Sequence, residues 1–292
     1  PAGSNHGNGR SRNEHHSPNC PASPMKPEDT HLDVLLKAQK AQGMTDRDLV
    51  KLAGIAVPDL NNLRAGRREP TAIERVAQSL GLRPESVIAL ANEDWSAPAI
   101  ALPPTVCMFT TPFAEMTVNH YLVWDPKSLQ AVAFDAGTDA DPLFAALTRH
   151  KLELKEILLT HAHGDHILEL DRIREKTKAP AFAPEAEPVE GCESVSNAKR
   201  FKVGGLTITA HTVPGHSVGG TVYEIEGLET PVAVVGDVIF AGSIGGIRSR
   251  YRPALEAIRA GVLTLPPETI LLPGHGPITN VAHELAHNPF FP

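Results

Sequence analysis

Three histidines and one aspartate fall within six positions of "LLTHAHGDHI": His161, His163, Asp165 and His166. Their polar atoms need partners once buried, so such a cluster is poor core material. An apolar run precedes it, which places it at a strand end. Three similar turns follow downstream: His216 in "TVPGHSVGG", Asp237 in "AVVGDVIF" and His275 in "LLPGHGP". Each follows an apolar run and lies in or beside a glycine-containing turn, where the backbone approaches closely. Together these are five imidazoles and two carboxylates. That donor set suits zinc first, with iron or manganese as alternatives. Seven donors exceed one tetrahedral ion but suit two ions that share a bridging carboxylate and a bridging water. A water between two cations loses a proton near neutral pH and attacks a carbonyl polarised by one of them, with no protein base required. The chain holds no G-x-S-x-G elbow, so no covalent acyl-enzyme is expected. His31, His120, His150 and His211 are read as ordinary histidines.

The elements that must position these residues follow from pattern. The chain has 292 residues, 41% apolar and 21% charged, enough for one large domain and one small one. A net charge of -7 argues against nucleic acid or membrane binding over the whole surface. Cys20, Cys107 and Cys192 are odd in number and widely spaced, neither a disulfide framework nor a zinc finger. No apolar run reaches membrane length and no signal peptide opens the chain, so a reducing cytoplasm is the expected compartment. Residues 1–30 are rich in Gly, Ser, Asn, His and Pro and read as a disordered tail, with Met25 as the natural start. Residues 31–92 carry about five short helices, with Thr45 as one cap and Gly43, Gly54 and Gly66 as stops. Residues 93–104 read as a linker. From 105 to 292, runs such as "HYLVW", "AVAFDAG", "EILLTH" and "PVAVVGD" alternate with helical stretches such as "DPLFAALTRHKL", an α/β layered pattern.

"THAHGDH", "PGH" at 214–216, "GD" at 236–237 and "PGHGP" at 273–277 resemble, in order, the motifs of the metallo-β-lactamase superfamily. The resemblance spans residues 105–292 and implies an αββα sandwich with the site at one edge. It implies that His161, His163 and His216 hold one metal, and that Asp165, His166 and His275 hold the other. Asp237 bridges, and Asp165 and Asp237 are the carboxylates assigned to catalysis. Asp135, in "AFDAG", matches a position behind a ligand histidine, where a carboxylate fixes the imidazole tautomer; it reads otherwise as a turn residue. "GDVIFAGSIGG" and "LPGHGPITNVAHELAHNPFF" are similar to the glyoxalase II-like branch, which includes hydroxyacylglutathione thioesterases and iron-dependent persulfide dioxygenases. Relatives often carry a basic residue where Gly246 stands. Here Arg248, Arg250 and Tyr251 follow instead, either to grip an anionic thiol carrier or as a solvated lead into a helix.

Residues 45–90 resemble the Cro/C1-type helix-turn-helix family through their helix lengths, the "LAG" turn, the "AGRREP" exit and the "LGL" step. The resemblance implies a helix near 57–63 in the DNA major groove, presenting Asn61 and Asn62. Arg64, Arg67 and Arg68 either contact phosphate or solvate the helix end. Residues 31–91 hold nine Lys/Arg against seven Asp/Glu, a net of only +2. The expected function is therefore a metal-dependent hydrolase of small acyl thioesters. The alternatives are a DNA-binding regulator with a metallo-sensor domain and a persulfide dioxygenase. Expected partners are a thioester, DNA through residues 45–68, and a second copy of the chain; no membrane partner is expected.

Overall fold

The structure is a computed structural model and describes residues 26–292. Five helices come first: α1 (His31–Ala41), α2 (Asp46–Ala53), α3 (Val57–Arg64), α4 (Pro70–Ser79) and α5 (Pro84–Asn92). Their boundaries follow local chemistry. Thr30 and Thr45 each close a capping box with the aspartate three residues on, Asp33 and Asp48. Pro70 and Pro84 open α4 and α5, where their missing N–H costs nothing.

Two six-stranded sheets follow. The first orders β1 (Val106–Phe113), β2 (Met116–Trp124), β3 (Gln130–Phe134), β4 (Glu153–Leu158), β5 (Ala181–Pro184) and β6 (Glu193–Val195) side by side. The second comprises β7 (Arg200–Val203), β8 (Leu206–Thr212), β9 (Thr221–Glu226), β10 (Val232–Gly236), β11 (Ile270–Pro273) and β12 (Thr279–Asn280), also in sequential order. Strands β3 to β6 run parallel, as do β10 and β11. Parallel neighbours need crossovers, and helices supply several of them: α6 (Asp141–His150) joins β3 to β4, α7 (Gly164–Ile167) and α8 (Leu170–Thr177) join β4 to β5, and α9 (Tyr251–Gly261) joins β10 to β11. The helix α10 (Val281–His287) follows β12.

The alternation of strand residues builds the layers. Val232 and Val234 of β10 face the first sheet, in a core with Val132 and Phe134 of β3. Their neighbours Ala233 and Val235 face outward, in a second core with Ile258 of α9 and with Val34, Leu60 and Ile73 of the N-terminal helices. Ala133 and Ile157 of the first sheet face Leu143 of α6 and Ile173 of α8. Both sheets are thus covered on both faces, which is why β3, β10 and β11 read as nearly unbroken apolar runs.

Three expectations need correction. The tail was expected to run to residue 30, but Asp29 is buried and Thr30 caps α1. Short polar residues read as solvated when nothing in the sequence shows their partners. Residues 1–25 of that tail, with His6, His15, His16 and Cys20, lie outside the described residues. Residues 93–104, read as a linker, carry no regular secondary structure, yet they do not tether freely. Trp95 is buried in the core that the helices share with β10 and α9. Finally, β5, β6, β7, β12 and α10 were not separately expected, because two to seven residues are too few to show a period.

Candidate metal centre

The site lies where several strands end. Asp135 follows β3, His161 lies just beyond β4, Asp237 follows β10 and His275 follows β11. His163 caps α7, Asp165 and His166 lie within it, and His216 sits on the loop between β8 and β9. Ligands outside the carboxyl ends of strands are the rule in α/β sheets. Two glycines let the loops close in. A Cβ at Gly274 would stand 2.2 Å from Asp237 Oδ1 and 2.6 Å from His166 Cε1. One at Gly245 would stand 1.9 Å from the Asp237 carbonyl oxygen.

The seven residues expected to bind metal converge in two groups: His161, His163, His216 and Asp237, and Asp165, His166 and His275. Within each, the candidate donor atoms lie within 4.8 Å of one another. Asp237 stands between the groups. Its Oδ2 is 3.3 Å from His216 Nε2, 3.9 Å from His161 Nε2 and 3.4 Å from His275 Nε2; its Oδ1 is 3.4 Å from His166 Nε2. Asp165 Oδ2 is 3.3 Å from His275 Nε2 and 3.5 Å from His166 Nε2.

These separations fit metal binding. Four donors held about 2.0–2.1 Å from one ion in a tetrahedron stand roughly 3.3–3.4 Å apart. Hydrogen bonds do not account for the arrangement, since His161 Nε2, His166 Nε2 and Asp237 Oδ1 are buried without a partner. The imidazoles are also pre-set. His161 Nδ1 lies 3.0 Å from Thr160 Oγ1, whose hydroxyl donates to Asp135 and so accepts from the ring. His166 Nδ1 faces Asp135 Oδ2 at 2.8 Å, His275 Nδ1 the Thr117 carbonyl at 2.6 Å, and His216 Nδ1 the Gly246 carbonyl at 3.2 Å. Each partner fixes the proton on Nδ1 and turns Nε2 toward the centre, where that of His161 and of His166 has no partner. His163 alone turns Nδ1 inward, 2.9 Å from His216 Nε2.

Asp135 stands behind His166 as the sequence suggested. It also accepts from Thr160 N at 2.7 Å and Thr160 Oγ1 at 2.8 Å, and thereby braces two of the imidazoles. It does so at φ 58°, a left-handed conformation that aspartate tolerates better than most residues. Among the protein groups alone, burial pushes His161 down to about 3. Burial opposes charge on His275 as well, but the carboxylates of Asp165 and Asp237 outweigh it and lift the ring to about 10. Burial would raise the pKa of Asp237, yet His166 and His275 hold it well below the usual carboxylate range. A cation is what this arrangement of anionic carboxylates and bare nitrogens stabilises.

The model of the metallo-beta-lactamase superfamily matches residues 115–275, more than half of the chain. The chain belongs to that superfamily. Its fold binds metal ions, and the His/Asp cluster offers candidate donors here. The chain is 31% identical over 203 residues to a probable metallo-hydrolase, YqgX, of Bacillus subtilis, covering 61% of this chain and 94% of that protein. It is 31% identical over 161 residues to a hydroxyacylglutathione hydrolase of Pseudomonas savastanoi pv. phaseolicola, covering 53% of this chain and 60% of that enzyme. Among solved structures it resembles the BLEG-1 B3 metallo-beta-lactamase, at 30% identity and a TM-score of 0.54, covering 63% of this chain and 99% of that one.

The other candidate residues lie elsewhere. Arg248 and Arg250 are exposed, and Tyr251 is half-buried, its hydroxyl pushed up to about 12 by burial. They follow Gly246, whose carbonyl holds His216, so the stretch starts at the centre's edge. Asn61 and Arg67 are exposed and Asn62 is half-buried. Arg64 bonds Gln39 and Asp46, and Arg68 pairs with Glu93, so both already have partners within the helical unit. Sequence reasoning missed Thr160, although it stands in the opening motif, and the backbone carbonyls of Thr117 and Gly246, which no side chain announces. No helix among the described residues is long and apolar enough to cross a membrane.

Proposed function

We propose that the chain hydrolyses small acyl thioesters with a pair of transition-metal ions, zinc first. The observation that carries this reading is the convergence of five imidazoles and two carboxylates, four of the imidazoles with Nδ1 engaged and Nε2 turned to the centre. In this reading, His161, His163 and His216 hold one ion and Asp165, His166 and His275 the other, with Asp237 between them. When bound, such a pair supplies a Lewis acid for the acyl carbonyl and acidifies a water into a nucleophile. The chain's own residues fix donor geometry: Asp135 and Thr160 orient His166 and His161, and Gly274 lets Asp237 reach both sides. No thiol nucleophile is called for, and Cys107 is buried in the α6–α8 core. The likeness to a hydroxyacylglutathione hydrolase supports a thioester substrate. Arg248 and Arg250 are proposed to meet an anionic thiol carrier.

A thiol-release assay on a hydroxyacylglutathione, run beside an oxygen electrode with glutathione persulfide, tests this. Thiol release without oxygen uptake is the expected result. Oxygen uptake without thioester cleavage would replace the hydrolase with a dioxygenase. The helical unit is proposed as a helix-turn-helix-like appendage, with Asn61 and Arg67 as the side chains free to meet DNA.

A further inference from the structure

The segment before α1 reaches the metal centre. Glu28 packs on Gly276, the residue after His275. A Cβ built on Gly276 would lie 3.1 Å from Glu28 N and 3.2 Å from Glu28 Cβ. Gly276 sits at φ 71° and offers only its hydrogen there. The next residue pins the segment: buried Asp29 bonds Lys37 of α1 and Ser243 of the loop after β10. Lys37 also donates to the Ile244 carbonyl at 2.8 Å and lies over the Phe240 ring, 5.0 Å from its centroid. Phe240 in turn meets the His275 ring edge-on at 5.6 Å. Lys37 is thus paired with Asp29, while Glu28 has no ion pair of its own among the described residues. Burial raises its pKa, with Asp29 and Asp237 adding to the rise and His275 and Lys37 opposing it, and the net shift is upward.

We propose that Glu28 forms a negative wall on the His275 side of the metal centre and discriminates against ligands that carry an anion there. The inference rests on the metal-binding reading of the site but not on thioester cleavage. It gives the segment before α1 a role in specificity, with the side chain delivered by the Asp29 clasp.

The test uses the full chain loaded with cobalt(II), whose thiolate charge-transfer band reports ligand binding. Two thiols of similar size are titrated: 2-mercaptoethanol, which is neutral beyond its sulfur, and mercaptoacetate, which adds a carboxylate. Glu28→Gln should improve mercaptoacetate affinity by about three- to tenfold more than mercaptoethanol affinity, as expected for one charge removed at partly screened range. Glu28→Lys should extend the trend, and 0.5 M salt should compress it, which a packing effect would not do. Equal changes for both thiols, or no change for either, overturn the proposal. Charge discrimination that survives in a chain unable to cleave thioesters sinks the hydrolase reading alone. Equal ratios in a chain that cleaves them sink this inference alone.

Discussion

At the scale of single residues, the centre is held by groups that cannot be exchanged for near-isosteres. Asp135 accepts three hydrogen bonds, from Thr160 N, Thr160 Oγ1 and the His166 ring. Asp135→Asn keeps the shape and tolerates the left-handed backbone, but it turns an NH₂ toward one of those donors. Metal affinity should fall about 10- to 100-fold, read by competition against a chelator. A nearby histidine gives a second expectation. His120 is fully buried beside Gly137, and burial pushes its pKa down to about 4. The unfolded chain takes up that proton near pH 6.5 and the folded chain only near 4. Stability from this residue is therefore intact above about pH 6.5 and drains away toward pH 4, by on the order of 3 kcal/mol. Thermal melts of His120→Leu between pH 7 and 4 should fall less steeply than those of the parent chain; parallel curves would refute this. The seven donors were legible because histidine and aspartate are rare at the ends of apolar runs. The groups that orient them were mostly not, because a carbonyl such as that of Thr117 or Gly246 carries no signal in the sequence.

At the scale of elements, strand ends and glycine loops set the donor positions. Gly274→Ala would drive a methyl group against Asp237 Oδ1 and the His166 ring. The fold should persist, since Leu271 and Leu272 of β11 stay in their cores. Metal content should nevertheless drop by at least half, measured by elemental analysis beside a circular dichroism spectrum that stays native. The central strands were readable as apolar runs, such as AVAF in β3 and VAVV in β10, and the helices by their caps and prolines. β5, β6 and β7 were invisible because three or four residues satisfy helix and strand patterns equally.

At the scale of the whole molecule, the helices do not behave as a bead on a string. Arg83, at the start of α5, takes the Pro289 carbonyl with its backbone N–H at 2.8 Å and the Leu285 carbonyl with its side chain at 3.1 Å. Trp95 packs over Gly242, where a Cβ would come within 2.8 Å of the indole ring. The sequence showed two compositional units but could not show this docking, which is made by carbonyls and by one tryptophan in an irregular stretch. A chain starting at residue 98 should therefore melt well below the full chain and expose apolar surface to a hydrophobic dye. Unchanged melting would show that the helices do not support the fold of the two sheets. The near-balanced charge of residues 31–91, with Arg64 and Arg68 paired internally, predicts at most a shallow dependence of DNA affinity on salt.

The central claim is a two-metal centre built by seven side chains, and metal stoichiometry tests it most directly. Protein purified without chelator, analysed for transition metals against amino-acid content, should hold close to two ions per chain, with Asp237→Ala losing both. One tightly held iron per chain, unchanged by Asp165→Ala, would contradict the account.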